Sequence, residues 1–387
     1  MNEKRIQQQL RTFERILQSY NLEDPLARFL SAFYKENRQM GSTDRRTASR
    51  LIYHYFRLGK ALPDLSVNKR LAAAELLCAQ DEHFLSVLEP SWVPYLSKSL
   101  VERIGFLNQE CHFQPEDIFP LVTEISEGIQ VREFLLGHFS QPRLFIRIHQ
   151  GKETQVKNVL NAHTVAYEEL EPGILAFENG VQLDRIPLIQ GKYEVQDYSS
   201  QRTSELFKPS AGEEWWDSCA GSGGKSILLY QLEPRVKLTV SDIRNSILRN
   251  LDERFSVAGI KHYRRKIVDL STAESEVLQG EFFDGIIVDA PCSGSGTWGR
   301  TPEQLVSFTA EKLAVYSERQ QQILTRAARH IKAGKPLVYI TCSVYKKENE
   351  DQVEFIKSLG LKLESMNYYQ GAEFGADTLF AARFIGA

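Results

Sequence analysis

The sequence predicts an α/β protein whose C-terminal half contains a parallel sheet, preceded by a helical domain and a small α+β module. From about residue 191, strand candidates alternate with glycine loops and helical stretches, a pattern typical of parallel sheets covered on both faces. Before about residue 130, apolar residues instead recur at helical spacing. We therefore predict domains at 1–130 (helical), 131–190 (α+β) and 191–387 (α/β).

Composition predicts a globular protein of two or three domains. The chain has 387 residues, 42% hydrophobic and 25% charged, which is the usual mixture for such proteins. Its first residues, MNEKRIQQQL, do not resemble a signal peptide, and no run approaches the roughly 18 apolar residues that cross a bilayer. We expect a cytoplasmic monomer with no membrane partner.

Charge is distributed unevenly along the chain. The formal net charge is -3, yet residues 1–70 hold fourteen Lys and Arg against seven Asp and Glu. A basic first segment on an acidic whole indicates a polyanionic partner there. A solvated helical face explains the same pattern, so the charge alone leaves both interpretations open.

Three helices are predicted near the N-terminus, from apolar residues that recur at helical spacing: Ile6, Leu10, Phe13 and Leu17; Leu26, Phe29, Leu30 and Phe33; and Leu51, Ile52, Tyr55 and Phe56. In the middle module, a strand is predicted at Leu144–Ile148, a helix at Glu153–Leu160 and a strand at Ile174–Phe177. The C-terminal half has five strand candidates: Glu214–Asp217, Leu238–Ser241, Arg264–Asp269, Phe283–Asp289 and Leu337–Thr341. Helices are predicted at Arg244–Ala258 and Glu311–Ile331.

A glycine-rich turn follows the first of these five strands. It runs from Cys219 to Ser226 and opens a helix whose free N–H groups can face a ligand. A P-loop would need glycine at Cys219, and a dinucleotide-binding loop would need glycine at Ser226. The turn therefore belongs to neither of these two motifs.

Acidic residues end three successive strands beside this turn: Asp217, Asp242 and Asp269. A single aspartate in such a place is usually a helix cap or a turn residue. An acid at the end of the second strand can also accept hydrogen bonds from ribose hydroxyls. Three together favour a nucleoside ligand.

Two of the five cysteines follow neighbouring strands. Cys292 lies in the turn Asp289-Ala-Pro-Cys-Ser-Gly-Ser-Gly, and Cys342 directly follows the fifth strand. Ligands in such folds bind at the carboxyl ends of the strands, so both thiols are expected to face one pocket. No cysteine pair has C-x-x-C spacing, so we predict neither a metal site nor a disulfide framework. Cys78 fits a buried apolar position.

Taken together, these segments resemble the Sun/Nol1/Fmu (RsmB-like) family of RNA cytosine-5 methyltransferases. The matching segments are DSCAGSGGKS (217–226), SDI around Asp242, VDL around Asp269, DAPCSGSG (289–296) and TCSVYKKENE (341–350), with VQDYSSQ (195–201) before them. The resemblance covers about 190 residues. The chain departs from the family pattern at Gly221-Ser222, Ile247, Lys347 and residues 377–380.

The resemblance implies a Rossmann-like methyltransferase domain that uses S-adenosylmethionine, behind an RNA-binding module. It implies that Cys342 is the nucleophile. The chemistry of that reaction then suits a second thiol for product release, which we assign to Cys292, and a carboxyl group that bonds N3 of the base, which we assign to Asp289. The implied cofactor contacts are Cys219, Ala220, Gly221, Ser222, Gly223, Gly224, Lys225, Asp242, Asp269 and Asp289. Ribosomal RNA of the small subunit is the first expected substrate, and transfer RNA is the second.

Basic residues outside the matching motifs are candidate phosphate contacts, since phosphates receive many of the hydrogen bonds in such complexes. They are Arg45, Arg46 and Arg50 in the helical region, with Arg143, Arg147 and Lys152 in the middle module. Ordinary surface charge is the competing interpretation of each.

Two further functions stay open. Pro291-Cys292 resembles the Pro-Cys of DNA cytosine-5 methyltransferases, in which that cysteine would be the nucleophile. A non-catalytic RNA-binding assembly factor is the other. The element Thr341-Cys342 favours RNA over DNA, and the presence of Cys342, Cys292 and Asp289 together favours an enzyme over an assembly factor.

Overall fold

The computed structural model describes residues 3–272, 278 and 280–386. The chain forms two compact units. One consists of Met1–Thr123, Gln130–Gln141 and Thr297–Ala310, and the other of Glu124–Ile129, Pro142–Gly296 and Glu311–Ala387. The first unit includes a segment from far along the chain, Thr297–Ala310. The division into three domains made from the sequence stays a prediction.

The first unit is helical, as its apolar spacing predicts. Its helices are α1 (Glu3–Ser19), α2 (Leu26–Glu36), α3 (Ser42–Arg57), α4 (Val67–Cys78), α5 (Leu85–Leu88), α6 (Leu100–Cys111) and α7 (Val131–Gly137). Phe13 and Leu51 are fully buried in its core. The segment Thr297–Ala310 is hydrogen-bonded to the helices of this unit. Glu303 accepts a hydrogen bond from the Leu26 N–H at 3.1 Å, and Arg57 donates to the Gly299 carbonyl at 3.0 Å.

The second unit contains a small antiparallel sheet and a large sheet. The small sheet has the order β2-β3-β1-β4, with β1 at Leu144–Ile148, β2 at Glu168–Glu171, β3 at Ile174–Phe177 and β4 at Tyr193–Val195. Helix α8 (Glu153–Ala162) buries Val156 and Leu160 against it. The predicted β1, α8 and β3 are confirmed. The sequence analysis misses β2 and β4, which are short and carry little apolar alternation.

The large sheet has seven strands in the order β10-β11-β9-β8-β5-β6-β7. The strands are β5 (Glu214–Asp217), β6 (Lys237–Asp242), β7 (Tyr263–Ile267), β8 (Gly285–Asp289), β9 (Pro336–Thr341), β10 (Lys362–Gln370) and β11 (Thr378–Ile385). The five predicted strands are present and pair in parallel, which confirms the α/β fold class. The sequence analysis misses β10 and β11, and β11 runs antiparallel to β9.

Helices cover both faces of this sheet. Those that follow α8 in the second unit are α9 (Tyr198–Arg202), α10 (Gly224–Leu232), α11 (Asn245–Val257), α13 (Ala310–Ala327) and α14 (Glu350–Ser358), whereas α12 (Gln304–Ser307) belongs to the first unit. Side chains alternate along β8 and β9 between two cores: Ile287 packs with residues of α10 and α11, and Ile286 with residues of α13 and α14. The predicted helices at 244–258 and 311–331 are confirmed, the latter ending in a 3₁₀ turn, Ala328–His330.

The strand order places the polar strand ends along one edge of the sheet. Reading across the sheet, Cys342 follows β9, Asp289 ends β8, Cys219 comes two residues after β5 and Asp242 ends β6. Asp269 is predicted to end its strand, but β7 stops at Ile267, two residues before it. Neighbouring strands lie about 4.8 Å apart. The edge from β9 to β6 therefore spans about 14 Å.

Within the described residues, no helix is long and apolar enough to cross a membrane.

Candidate active site

A cavity of about 660 Å³ opens at this edge of the sheet, within the size range of small-molecule sites. Its lining consists of Ser218, Cys219, Asp242, Ile243, Arg244, Val268, Asp269, Leu270, Ser271, Asp289, Ala290, Pro291, Cys292, Tyr316, Arg319, Ile323 and Cys342. Cys219, Asp242, Asp269, Asp289, Cys292 and Cys342, all singled out from the sequence, thus meet in one cavity.

Two thiols lie together in this cavity. The sulfur atoms of Cys292 and Cys342 are 3.3 Å apart, within hydrogen-bonding distance for sulfur. The hydrogen bond to Cys342, together with burial, raises the pKa of the Cys292 thiol well above its usual range. Either sulfur can donate the hydrogen bond between them, so one thiol can stabilise the thiolate of the other.

Asp289 is held by a buried lysine. Lys225, in the first turn of α10, is 7% exposed, and its ammonium lies 3.3 Å from an Asp289 carboxylate oxygen. The same ammonium donates to the Ser200 hydroxyl at 2.7 Å. Lys225 does not line the cavity itself. It acts on the cavity by holding the Asp289 carboxylate in place.

Asp242 is 7% exposed and accepts hydrogen bonds from two directions. The Gly221 N–H donates to one carboxylate oxygen at 3.1 Å, and the Arg244 N–H donates to the other at 2.9 Å. The Arg244 guanidinium adds a hydrogen bond at 3.1 Å, although that side chain is 63% exposed. The backbone N–H groups thus orient the Asp242 carboxylate. The exposed Arg244 side chain also bonds it, and a ligand's hydroxyl group can replace that guanidinium as donor.

The glycine-rich turn, Cys219–Ser226, lies beside the cavity. Of its residues, Cys219 alone is among the cavity-lining residues, while Ala220, Gly221, Ser222, Gly223, Gly224 and Lys225 lie outside that set. Gly223 has φ +86°, and a Cβ there would lie 2.7 Å from the Phe255 ring. Glycine lets the turn pass close over α11. Direct cofactor contact by this whole turn stays a prediction.

Asp217 departs from the expectation that three strand-end acids share a ligand. It is 1% exposed and absent from the cavity lining. One of its oxygens accepts from the Ser226 hydroxyl at 2.6 Å. Burial raises its pKa to about 7. Through the hydrogen bond to Ser226, Asp217 connects β5 to α10, whereas Asp242 and Asp269 face the cavity.

Several cavity residues escaped the sequence analysis. Tyr316, Arg319 and Ile323 come from α13 and share one face of that helix at i, i+3 and i+7. Such a stripe usually indicates core packing, and only the arginine within it hints at a polar site. Ile243, directly after Asp242, is 57% exposed. It gives the cavity an apolar wall beside the acid.

The predicted phosphate contacts divide into engaged and exposed side chains. In the first unit, Arg45 donates to the Met40 carbonyl at 2.9 Å and Arg50 pairs with Glu75 at 3.3 Å, whereas Arg46 is exposed. In the second unit, Arg143 pairs with Glu168 at 2.7 Å and Arg147 donates to Gln231 at 2.6 Å, whereas Lys152 is exposed. Burial lowers the pKa of Arg147 to about 10. The engaged side chains bind other parts of the chain, so Arg46 and Lys152 are the better phosphate candidates.

The described residues contain no cluster of ligating side chains suited to a metal ion. Similarity to known proteins then identifies the domain that forms the cavity. The family model described as 16S rRNA methyltransferase RsmB/F matches residues 204–380, which include all of the cavity-lining residues. Over these residues, the chain is similar to RsmB/F methyltransferases.

Individual relatives have names that agree with this family description. Ribosomal RNA small subunit methyltransferase B of Xylella fastidiosa is 34% identical over 186 residues, covering 48% of this chain and 43% of the relative. The probable ribosomal RNA small subunit methyltransferase B of Bacillus subtilis is 29% identical over 223 residues, covering 56% and 49%. The chain thus spans about half the length of the curated relatives it matches.

Solved structures share the fold of residues 204–380 and of the residues around them. The crystal structure of PH0851 superposes with a TM-score of 0.69 at 22% identity, covering 94% of this chain and 95% of that one. NSun6 from Pyrococcus horikoshii, solved with SFG, gives 0.62 at 16% identity, covering 70% and 99%. At such identities the likeness establishes the fold alone.

Proposed function

We propose that this chain transfers a methyl group from S-adenosylmethionine to C5 of a cytosine in RNA, with ribosomal RNA as the first candidate substrate. The observation that carries the proposal is the pair of thiols 3.3 Å apart at one edge of a cavity that also contains Asp242, Asp269 and Asp289. The RsmB/F family and the names of the relatives support RNA as the substrate class.

The cavity's residues suit a cofactor of this kind. Asp242 is aimed into the cavity by backbone N–H groups, which is how a carboxylate is prepared to accept ribose hydroxyls. The apolar side chains of Ile243, Val268 and Leu270 line the same cavity and suit an adenine ring. About 14 Å of sheet edge separates Asp242 from Cys342, which leaves room for the donor's methyl group and a target base between them.

The chemistry assigned to the chain's own residues begins at Cys342. Its thiolate adds to C6 of cytosine, and the displaced electrons make C5 nucleophilic. S-adenosylmethionine, when bound, supplies the methyl group to C5. The Asp289 carboxyl group, held by Lys225, hydrogen-bonds N3, which takes up a proton as the thiolate adds; after methyl transfer the carboxylate offsets the positive charge on the ring.

Product release is assigned to Cys292. After methylation, C5 still holds a proton that must leave before the bond between Cys342 and C6 breaks. The electrons of the C5–H bond then re-form the C5–C6 double bond, and Cys342 departs. Cys292 lies 3.3 Å from the departing sulfur, close enough to take part in removing that proton.

Radiolabelled methyl transfer to total RNA and to total DNA tests the proposal, with bisulfite sequencing of RNA from a deletion strain to locate the cytosine. Label in RNA as 5-methylcytosine is expected. Label in DNA favours the alternative in which Cys292 is the nucleophile, and absence of label from both favours a non-catalytic RNA-binding role.

A further inference from the structure

A buried carboxyl group lies behind the two thiols. Glu348 is 0% exposed and ends the 3₁₀ turn Lys346–Glu348. Its Oε1 accepts hydrogen bonds from the Ser293 N–H at 2.8 Å and from the Gln320 side-chain amide at 3.0 Å. One of these donors is the residue next to Cys292.

The other carboxyl oxygen reaches the second cysteine loop. Glu348 Oε2 accepts from the hydroxyls of both Ser293 and Ser343, and these two hydroxyls are 3.2 Å apart. Ser293 follows Cys292 and Ser343 follows Cys342. One carboxyl group therefore bonds directly to the residue after each thiol.

Other hydrogen bonds draw the same two loops together. The Gly296 N–H donates to the Cys342 carbonyl at 2.9 Å, and the Val344 N–H donates to the Ser295 hydroxyl at 2.9 Å. A Cβ at Gly296 would lie 1.9 Å from the Thr378 carbonyl oxygen, so the approach requires glycine. Glu348 is the one ionisable group among these bonds.

Burying a carboxyl group costs free energy that a well-packed apolar side chain would not. Burial accordingly raises the pKa of Glu348, while the four hydrogen bonds oppose that rise. Stability alone is therefore a poor reason for this residue. Its value lies in the geometry that its two oxygens impose on the loops.

We propose that Glu348 is a positioning residue, which holds the Cys292 and Cys342 loops at the spacing where both sulfurs serve one cytosine. The catalytic part of this statement rests on the proposed function. The geometric part concerns the thiol spacing alone and is measurable without RNA or cofactor.

The thiol spacing is read from the equilibrium with glutathione. One protein thiolate displaces glutathione from oxidised glutathione, and the second thiol then displaces the other glutathione to close the Cys292–Cys342 disulfide. The equilibrium constant is an effective molarity, which is high only when the two thiols are held close together. The measurement is made on the full chain with Cys78, Cys111 and Cys219 replaced by serine or alanine.

Three variants make the test specific. Glu348→Ala removes all four bonds, and a fall in effective molarity of about tenfold or more is expected. Glu348→Gln keeps an acceptor for Ser293 and Gln320 and offers an amide to the serine hydroxyls, so a value near wild type is expected. Gln352→Ala is the matched control, because Gln352 is equally buried nearby but bonds Ser317 and the Lys347 carbonyl. It should lower the melting temperature and leave the effective molarity unchanged.

An unchanged effective molarity in folded Glu348→Ala overturns the positioning role, as does an equal fall in Gln352→Ala. If Glu348→Ala does not fold, Ser343→Ala takes its place: a partial fall supports the proposal and an unchanged value overturns it. In methyl transfer, Glu348→Ala should lower kcat far more than it raises KM, with rescue by Glu348→Gln. If the effective molarity falls as expected but the wild type methylates no RNA, the proposed function fails and the positioning role stands.

Discussion

Cys292 and Cys342 are fifty residues apart in the sequence, and their sulfur atoms are 3.3 Å apart in the fold. The two residues come from the ends of β8 and β9, which pair in parallel. Because the thiols share a hydrogen bond, a change at one alters the chemistry of the other. This coupling makes their separate roles testable by two single substitutions.

The first prediction separates the two thiols by the species that accumulates. Cys342→Ala should abolish methylation and form no covalent RNA complex, because it removes the attacking sulfur. Cys292→Ala should still attack and methylate but stall at elimination, so a protein–RNA adduct should persist in denaturing electrophoresis. An adduct that builds up in Cys342→Ala and is absent from Cys292→Ala reverses the roles. Unchanged activity in both variants contradicts the shared-cavity chemistry altogether.

The second prediction concerns S-adenosylmethionine binding at Asp242. Asp242→Ala should weaken binding, since each ribose hydrogen bond that it removes contributes about 0.5–1.5 kcal/mol. Arg244→Ala is the informative partner: its exposed guanidinium occupies Asp242 lone pairs, so its removal should leave affinity unchanged or tighten it. Asp269→Ala should also weaken binding. Calorimetry measures all three, and equal affinity for the wild type, Asp242→Ala and Asp269→Ala would remove the cofactor from this cavity.

The third prediction uses the pKa of Asp217, which burial raises from 3.8 to about 7. The folded chain binds this proton more tightly than the unfolded chain, so the group stabilises the fold fully below about pH 4. That contribution, at most about 4 kcal/mol, is lost as the pH rises through about 7. Asp217→Asn keeps a partner for Ser226 without the titration.

Thermal melting at pH 5 and pH 8 measures this effect. The melting temperature of Asp217→Asn relative to wild type should be higher at pH 8 than at pH 5. A difference that is the same at both pH values means that Asp217 does not titrate in this range.

The fourth prediction tests the basic residues as RNA contacts. Arg46→Ala and Lys152→Ala should each lower RNA affinity and flatten its dependence on salt, by about 0.7–0.9 in the logarithmic slope for each phosphate that the variant no longer neutralises. Lys357→Ala, which removes an exposed charge from α14, is the control and should leave the slope unchanged. An unchanged slope in Arg46→Ala and Lys152→Ala places the main RNA surface elsewhere.

Point substitutions are preferable here to removing residues 1–130. The segment Thr297–Ala310 belongs to the helical unit, where Trp298 packs 5.2 Å from Phe119 between ring centroids. A chain without residues 1–130 would expose Trp298, which is 1% exposed in the folded protein. Its loss of RNA binding would then have two explanations.

The sequence by itself determined the parallel part of the sheet and most of the cavity's polar residues. Strands β5, β6, β8 and β9 are short apolar runs that end in polar residues, and parallel strands bring their carboxyl ends to one edge whatever the details. That rule was enough to place Asp242, Asp289, Cys292 and Cys342 together. The helical region was equally predictable, because its apolar positions repeat at helical spacing over several turns.

Only the tertiary structure decided the rest, because the deciding interactions join residues far apart in the chain. Asp217 resembles Asp242 in sequence, but in the fold it is 1% exposed, accepts a hydrogen bond from Ser226 and lies outside the cavity lining. Nothing local distinguishes Arg147, which is half-buried and bonded to Gln231, from Arg46, which is exposed. Glu348 looks like part of a solvated acidic run, until packing closes over it and its two oxygens meet the loops of both cysteines. Periodicity reports which face of an element is apolar, whereas the partners of a buried polar group depend on how the elements pack.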